Sequence, residues 1–261
     1  FSDTTLRQQQ DMAQAEAVKS YKKVFEMNDP KFKAWKDMTR YLLALGPGTF
    51  NAAITQYERK NYEQYYKYFA SIDDINAILE ARGEKPNIET DKALGNAALS
   101  AENAGNTQGA IDAYKKLSAK FPDSKYDLLL SRLQKKAGDK DGAIATLDAA
   151  IAKYPQNIDL LIDKLNIYIG DNKHEQALDM LNKAIALDSN NDQLYYALGT
   201  AYEKLGKGDE AKAAYEKATQ INPKNFGATY NMGAYYFNKA GALNDEMNKL
   251  GYSKADQVKY E

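Results

Sequence analysis

The stretch DQLYYALGTAYEKLGKGDEAKAAYEKATQINP, residues 192–223, decides the fold. Its first half sets Tyr195, Leu198 and Tyr202 at three- and four-residue steps, the spacing that gathers side chains on one face of a helix, and Gly199 falls on that face too. Gly206 then offers the left-handed conformation in which helices end. The helical pattern restarts with Ala211 and Tyr215 and stops at Pro223, whose ring a continuing helix cannot accommodate. The reading is an antiparallel pair of helices, each of about 13 to 15 residues. Gly199 and Ala211 supply small side chains on facing surfaces, so the two axes can approach closely while larger residues fill the flanks.

Working outward, the second half has three counterparts that align with it without gaps: GAIDAYKKLSAKFP (109–122), GAIATLDAAIAKYP (142–155) and QALDMLNKAIALDS (176–189). Ala110, Ala143, Ala177 and Ala211 are separated by 33, 34 and 34 residues. Tyr114, Leu147, Leu181 and Tyr215 form a second column, and Leu117, Ala150, Ala184 and Ala218 a third. Five residues before each alanine stands a turn residue, Gly105, Gly138, Asn172 or Gly206. Several independent columns with one spacing identify a repeat, and a repeat of this length made of two helices identifies a solenoid.

The order aromatic, leucine, glycine, tyrosine, then alanine, aromatic, alanine, proline resembles the tetratricopeptide repeat. The resemblance is clearest in 192–223 and covers about 91–238, with weaker repeats reaching most of the chain. It implies an all-α, right-handed α-solenoid, a superhelix of about five to seven stacked antiparallel helix pairs. The repeats expected are 91–124, 124–157, 158–191 and 192–225, between N-terminal irregular helices over 1–82 and an extended, incomplete C-terminal repeat over 226–261. Two repeats depart from the pattern in their first helix: Ser131 and Gln134 stand for the glycine and tyrosine of 124–157, and Leu165 for the glycine of 158–191.

Upstream, AEAVKSYKKVFEMNDP (15–30) reads as a second helix and KFKAWKDMTRYLLAL (31–45) as a first helix. FNAAITQYERKNYEQYYKYFASI (50–72) reads as a further unit in which Tyr65 replaces the small alanine and splays the pair. The polar segment ARGEKPNIE (81–89), with Gly83 and Pro86, is the expected break in the stack. Downstream, FGATYNMGAYYFNKAGALNDEMNKL (226–250) begins as a first helix and runs long because no turn glycine arrives on schedule; Gly241 and Gly251 are expected to interrupt it. The final GYSKADQVKYE reads as the start of another helix, and the chain as a fragment of a longer protein.

Composition narrows function. Lys plus Arg (35) nearly cancels Asp plus Glu (36), so no net basic field favours nucleic acid. No run approaches the roughly 18 apolar residues of a membrane span, which argues against membrane insertion. With no cysteine and one histidine, His174 beside Glu175, thiolate chemistry is excluded and a metal site lacks ligands. His174 reads as a surface residue. Asp73 and Asp74 read as a solvated helix start rather than an acid–base pair, because carboxylates favour the helix dipole there. No phosphate-binding glycine motif is present. No catalytic residue, metal or cofactor is expected, and the chain does not read as an enzyme.

In the family, partners lie in the groove lined by the first helices. The positions flanking the core map to Lys92 and Leu99 in the first regular repeat; Leu128, Arg132 and Lys135 in the second; Ile162 and Asn166 in the third; Tyr196 and Thr200 in the fourth; and Tyr230, Ala234 and Phe237 in the last. They offer a basic patch at Arg132 and Lys135, a polar step at Asn166 and Thr200, and an aromatic wall at Tyr196, Tyr230 and Phe237. Exposed aromatics and arginine suit a protein or peptide partner, although any one tyrosine can instead pack between repeats. The lysine and asparagine positions by which some family members clamp a terminal carboxylate hold Gly95 and Leu99, Leu128 and Arg132, Ile162 and Asn166, Tyr196 and Thr200, and Tyr230 and Ala234, so no such clamp assembles. The tyrosines between Tyr57 and Tyr68 leave a second reading, a glycan or small-ligand binder. The KYP and INP endings and the YNMGAYYFNKA helix resemble exported tetratricopeptide proteins of Gram-negative bacteria, which implies a periplasmic or exported scaffold, part of a larger envelope complex.

Overall fold

The structure is a computed structural model that describes residues 3–29 and 31–249. Among these residues twelve helices and no strand form: α1 (Asp3–Met27), α2 (Trp35–Glu58), α3 (Tyr62–Ala81), α4 (Thr90–Asn103), α5 (Thr107–Lys120), α6 (Ser124–Lys136), α7 (Lys140–Lys153), α8 (Ile158–Gly170), α9 (His174–Leu187), α10 (Asp192–Lys204), α11 (Gly208–Ile221) and α12 (Phe226–Lys249). The class is all-α, a solenoid of antiparallel helix pairs.

The repeated turn has one physical basis. Gly105, Gly138, Asn172 and Gly206 have φ of 72°, 88°, 56° and 71°, the left-handed region that ends a helix. The following N–H then reaches back to the last turn, Asn106 to the Ala101 carbonyl at 2.8 Å and Lys207 to the Tyr202 carbonyl at 2.9 Å, satisfying acceptors the helix leaves open. Where the next residue is Asn106 or Asp139, its side chain also accepts the N–H of Gly109 (3.0 Å) or Gly142 (2.9 Å) and starts the following helix. Pro122, Pro155 and Pro223 each lie two residues past a helix end.

The chain packs as two compact units that divide inside α7, Phe1–Thr146 and Leu147–Glu261. In unit 1, α1, α2 and α3 enclose Val18, Met38, Leu42, Ile75 and Leu79. Trp35 caps this core, edge-on to Phe32 at 4.9 Å and to Phe25 at 6.3 Å, with the Arg82 guanidinium 4.8 Å above its ring. A second core joins α2 through α6 around Phe69, Ile72, Leu94 and Leu117. Tyr65 is buried there edge-on to Phe69 at 4.8 Å, and fully buried Ala53 supplies a small residue on α2. Ser131 and Gln134, which break the family pattern, are buried, and the Gln134 Oε1 accepts the Thr146 hydroxyl at 2.8 Å.

Two expectations are corrected in this unit. The helix expected over 31–45 does not stop before residue 50: α2 runs unbroken from Trp35 to Glu58 with Pro47 inside it. Proline has no N–H for the carbonyl four residues earlier, and Asn87 supplies the missing donor, its Nδ2 lying 2.8 Å from the Leu43 carbonyl. Asp73 and Asp74 lie in the middle of α3, not at a helix start. Buried Asp73 pairs with Lys116, and Asp74 with Lys22 at 2.7 Å, because a carboxylate withdrawn from water needs a cation. The 82–89 segment is the expected loop.

In unit 2, Leu147, Leu160 and Leu181 are fully buried. Lys164 is buried as well, its ammonium paired with Asp148 and lying 5.3 Å from the centre of the Tyr168 ring. Gly199 meets Tyr215 more closely than the pairing with Ala211 suggested: a Cβ at 199 would lie 2.4 Å from the Tyr215 ring. His174 is half-buried rather than on the surface, and its Nδ1 is enclosed without a hydrogen-bond partner. α12 runs for 24 residues, and Gly241 does not interrupt it. An isolated glycine costs a helix about 1 kcal/mol relative to alanine, too little to break one this long. Gly251 and the expected helix in the final segment lie outside the described residues.

Candidate functional site: the first-helix surfaces

In unit 1 the first-helix positions are α4 and α6. Lys92 is exposed but paired with Glu89 at 2.7 Å, and Leu99 is half-exposed. Leu128 is half-buried, whereas Arg132 and Lys135 are exposed. Among these positions Leu99 is the exposed apolar side chain, and Arg132 and Lys135 are the positive end.

In unit 2 the positions are α8, α10 and α12. Ile162 is half-buried on the core and Asn166 is exposed. Tyr196 does not stand in the open as expected. Its ring lies 6.0 Å from that of Tyr215 and covers Gly227, where a Cβ would come within 2.8 Å of it. Thr200 is half-buried and bonds to the Tyr196 carbonyl at 3.1 Å, the usual satisfaction of a helical hydroxyl. Ala234 is half-buried. Tyr230 and Phe237 are 77% and 80% exposed, two large aromatic faces on one side of α12. The expected three-residue wall is thus a pair, with Tyr196 serving as packing beneath the next helix.

Beside this pair α10, α11 and α12 enclose an open cleft of about 420 Å³ whose residues the sequence reading did not single out. Glu203 stands on its α10 wall, Asp209 on α11, and Asn231, Asn238 and Lys239 on α12. The Tyr215 hydroxyl donates to Glu203 Oε2 at 2.7 Å and accepts from Asn231 Nδ2 at 3.0 Å. Burial, joined by the Glu203 carboxylate, pushes the Tyr215 hydroxyl up to about 12. The Tyr235 hydroxyl donates to Asp209, and the Lys239 ammonium lies 3.2 Å from the Tyr235 oxygen. That hydroxyl, with the charge of Asp209, holds the Lys239 pKa above the usual lysine range. One signal for the cleft was present in the sequence: Asn231 and Asn238 follow directly on Tyr230 and Phe237, and Glu203 lies three residues past Thr200.

The tyrosines of 57–68 have largely structural roles. Tyr65 and Tyr68 are buried, and an open cleft of about 650 Å³ runs past Tyr66 and Tyr68 between polar residues that include Lys19, Gln64 and Lys67. Among the described residues no group of three or more acidic, histidine or cysteine side chains could hold a metal ion. No helix among them is long and apolar enough to cross a membrane.

Comparison with known proteins agrees with the repeat geometry. Models of the tetratricopeptide repeat match residues 96–158 and 192–225, and a model of the TPR repeat matches 166–206. Protein bimA of Emericella nidulans is 38% identical over 58 residues, which are 22% of this chain and 7% of that protein. The BBSome complex member bbs-4 of Caenorhabditis elegans is 27% identical over 136 residues, 52% of this chain and 29% of that protein. The chain thus spans less than a third of the length of either relative. Two solved structures of MamA superpose at 19% identity, one with a TM-score of 0.51 over 69% of this chain and 92% of MamA, the other with 0.50 over 57% and 84%. At that identity the likeness extends to the fold.

Proposed function

The chain is a tetratricopeptide-repeat protein, with repeats matched at residues 96–158 and 166–225, and from that premise we propose that it is a non-catalytic scaffold that holds a protein or peptide through its first-helix surfaces. The observation that carries the reading is the exposure of Tyr230 and Phe237 on α12. Large aromatics left uncovered at groove positions cost free energy in water and regain it when a partner covers them. The partner is an internal stretch of peptide or a folded surface, since the residues that would clamp a terminal carboxylate are absent from the groove positions.

The test is a pull-down from native extract with the whole chain and with Tyr230→Ala combined with Phe237→Ala. Both side chains point to solvent, so each substitution should move stability by less than about 0.5 kcal/mol, while the partner's retention falls at least about tenfold. Undiminished capture by a variant of unchanged helicity ends the reading. We further propose an exported, envelope-facing location, which rests on the resemblance of the repeats to exported tetratricopeptide proteins. Fractionation of the tagged native protein tests it, and recovery with cytosolic markers would overturn it.

A further inference from the structure

The cleft beside Tyr230 and Phe237 has a polarity of its own. Tyr215 and Tyr235 both turn their hydroxyl protons onto carboxylates, those of Glu203 and Asp209. Asn231 turns its amide onto the Tyr215 oxygen. Both hydroxyl protons and one Asn231 N–H are thus spent within the wall. A carboxylate offers about four acceptor directions, and a single tyrosine hydroxyl occupies one of them on each. What the cleft presents to a guest is therefore rich in acceptors and negative.

An ammonium already occupies its rim. Lys239 sits against the Tyr235 oxygen at 3.2 Å with its nitrogen 5.5 Å from that ring's centre, and Asp209 adds to the attraction. Tyrosine oxygen, tyrosine ring and carboxylate together form the surroundings a cation seeks. Lys239 is exposed and on a long, flexible stem, so it can swing out at little cost.

We propose that this cleft receives a lysine or arginine side chain from an extended peptide whose neighbouring residues lie on Tyr230 and Phe237, so that the partner of unit 2 is basic, and that Lys239 is the cation it displaces. The proposal rests on the groove reading above and adds the charge of its ligand.

The test uses three fluorescein-labelled, acetylated 12-residue peptides of alternating composition, alanine–arginine, alanine–citrulline and alanine–glutamate, titrated into the full chain and followed by anisotropy. Citrulline keeps the shape of arginine and removes its charge. The arginine peptide should bind at least about tenfold more tightly than the citrulline peptide, with the glutamate peptide weakest. Glu203→Gln with Asp209→Asn keeps acceptors for both tyrosines and should weaken the arginine peptide about tenfold or more. Lys239→Met should tighten it about threefold or more, whereas Lys224→Met, at a site outside the cleft lining, should not. Equal binding of arginine and citrulline peptides, indifference to the paired Glu203 and Asp209 substitutions, or no gain from Lys239→Met would overturn the proposal. Failure of the two readings is separable. Binding lost on Tyr230→Ala with Phe237→Ala but indifferent to the carboxylate substitutions leaves the groove and removes the cation site. The opposite pattern keeps the cation site and removes the aromatic groove.

Discussion

Gly199 and Gly233 occupy the same position in consecutive first helices, and their surroundings set opposite expectations for one substitution. A methyl at 199 would lie 2.4 Å from the fully buried ring of Tyr215, whose hydroxyl is tied to Glu203. Overpacking of that kind costs about 1–3 kcal/mol, against a gain of about 1 kcal/mol in helix propensity. Nothing lies within 4 Å of the Cβ position at 233. Gly199→Ala should therefore destabilise, and Gly233→Ala should stabilise by about 0.5–1 kcal/mol, both read from urea denaturation. The sequence made the glycine column visible but not its partner, because the ring that fills the space comes from the second helix of the pair. Tyr196 illustrates the same limit: its fate depends on Gly227, a small residue in the next repeat. The cleft escaped notice for a related reason, since Glu203, Asp209 and Asn231 converge from three helices and none is unusual in its own.

Among the elements, the regular helices of 90–221 were legible because all but α9 end at a residue whose backbone requirement is visible in its identity: a glycine or asparagine with positive φ, or a proline just beyond. α2 was not, because the donor that rescues its proline is 44 residues from the carbonyl it serves. Asn87→Ala should remove about 0.5–1.5 kcal/mol by leaving the Leu43 carbonyl without that partner. Pro47→Ala restores an intrahelical N–H for the same carbonyl, so in the Pro47→Ala background the Asn87→Ala loss should shrink. A double-mutant cycle of denaturation midpoints measures the coupling, and additive effects would mean that Asn87 acts elsewhere. Gly241 lies inside α12, whose twenty-four residues absorb the cost of one weak helix former.

On the scale of the whole chain, a solenoid holds each repeat chiefly by its neighbours, so stability is distributed rather than pooled. Leu181 is fully buried among α8, α9 and α10. Leu181→Ala should cost about 2–5 kcal/mol where it acts. Amide exchange should quicken in α8 to α10 while α2 and α3 keep their protection; uniform loss would mean that the chain opens as one cooperative body.

Trp35, seated between Phe25, Phe32 and Arg82, is the single tryptophan of the chain. Its ultraviolet emission consequently witnesses only the first three helices. A heating curve recorded by that glow and one recorded by peptide dichroism follow different parts of the same molecule, and the temperature gap between them gauges how far the amino-terminal end melts out of step with the rest.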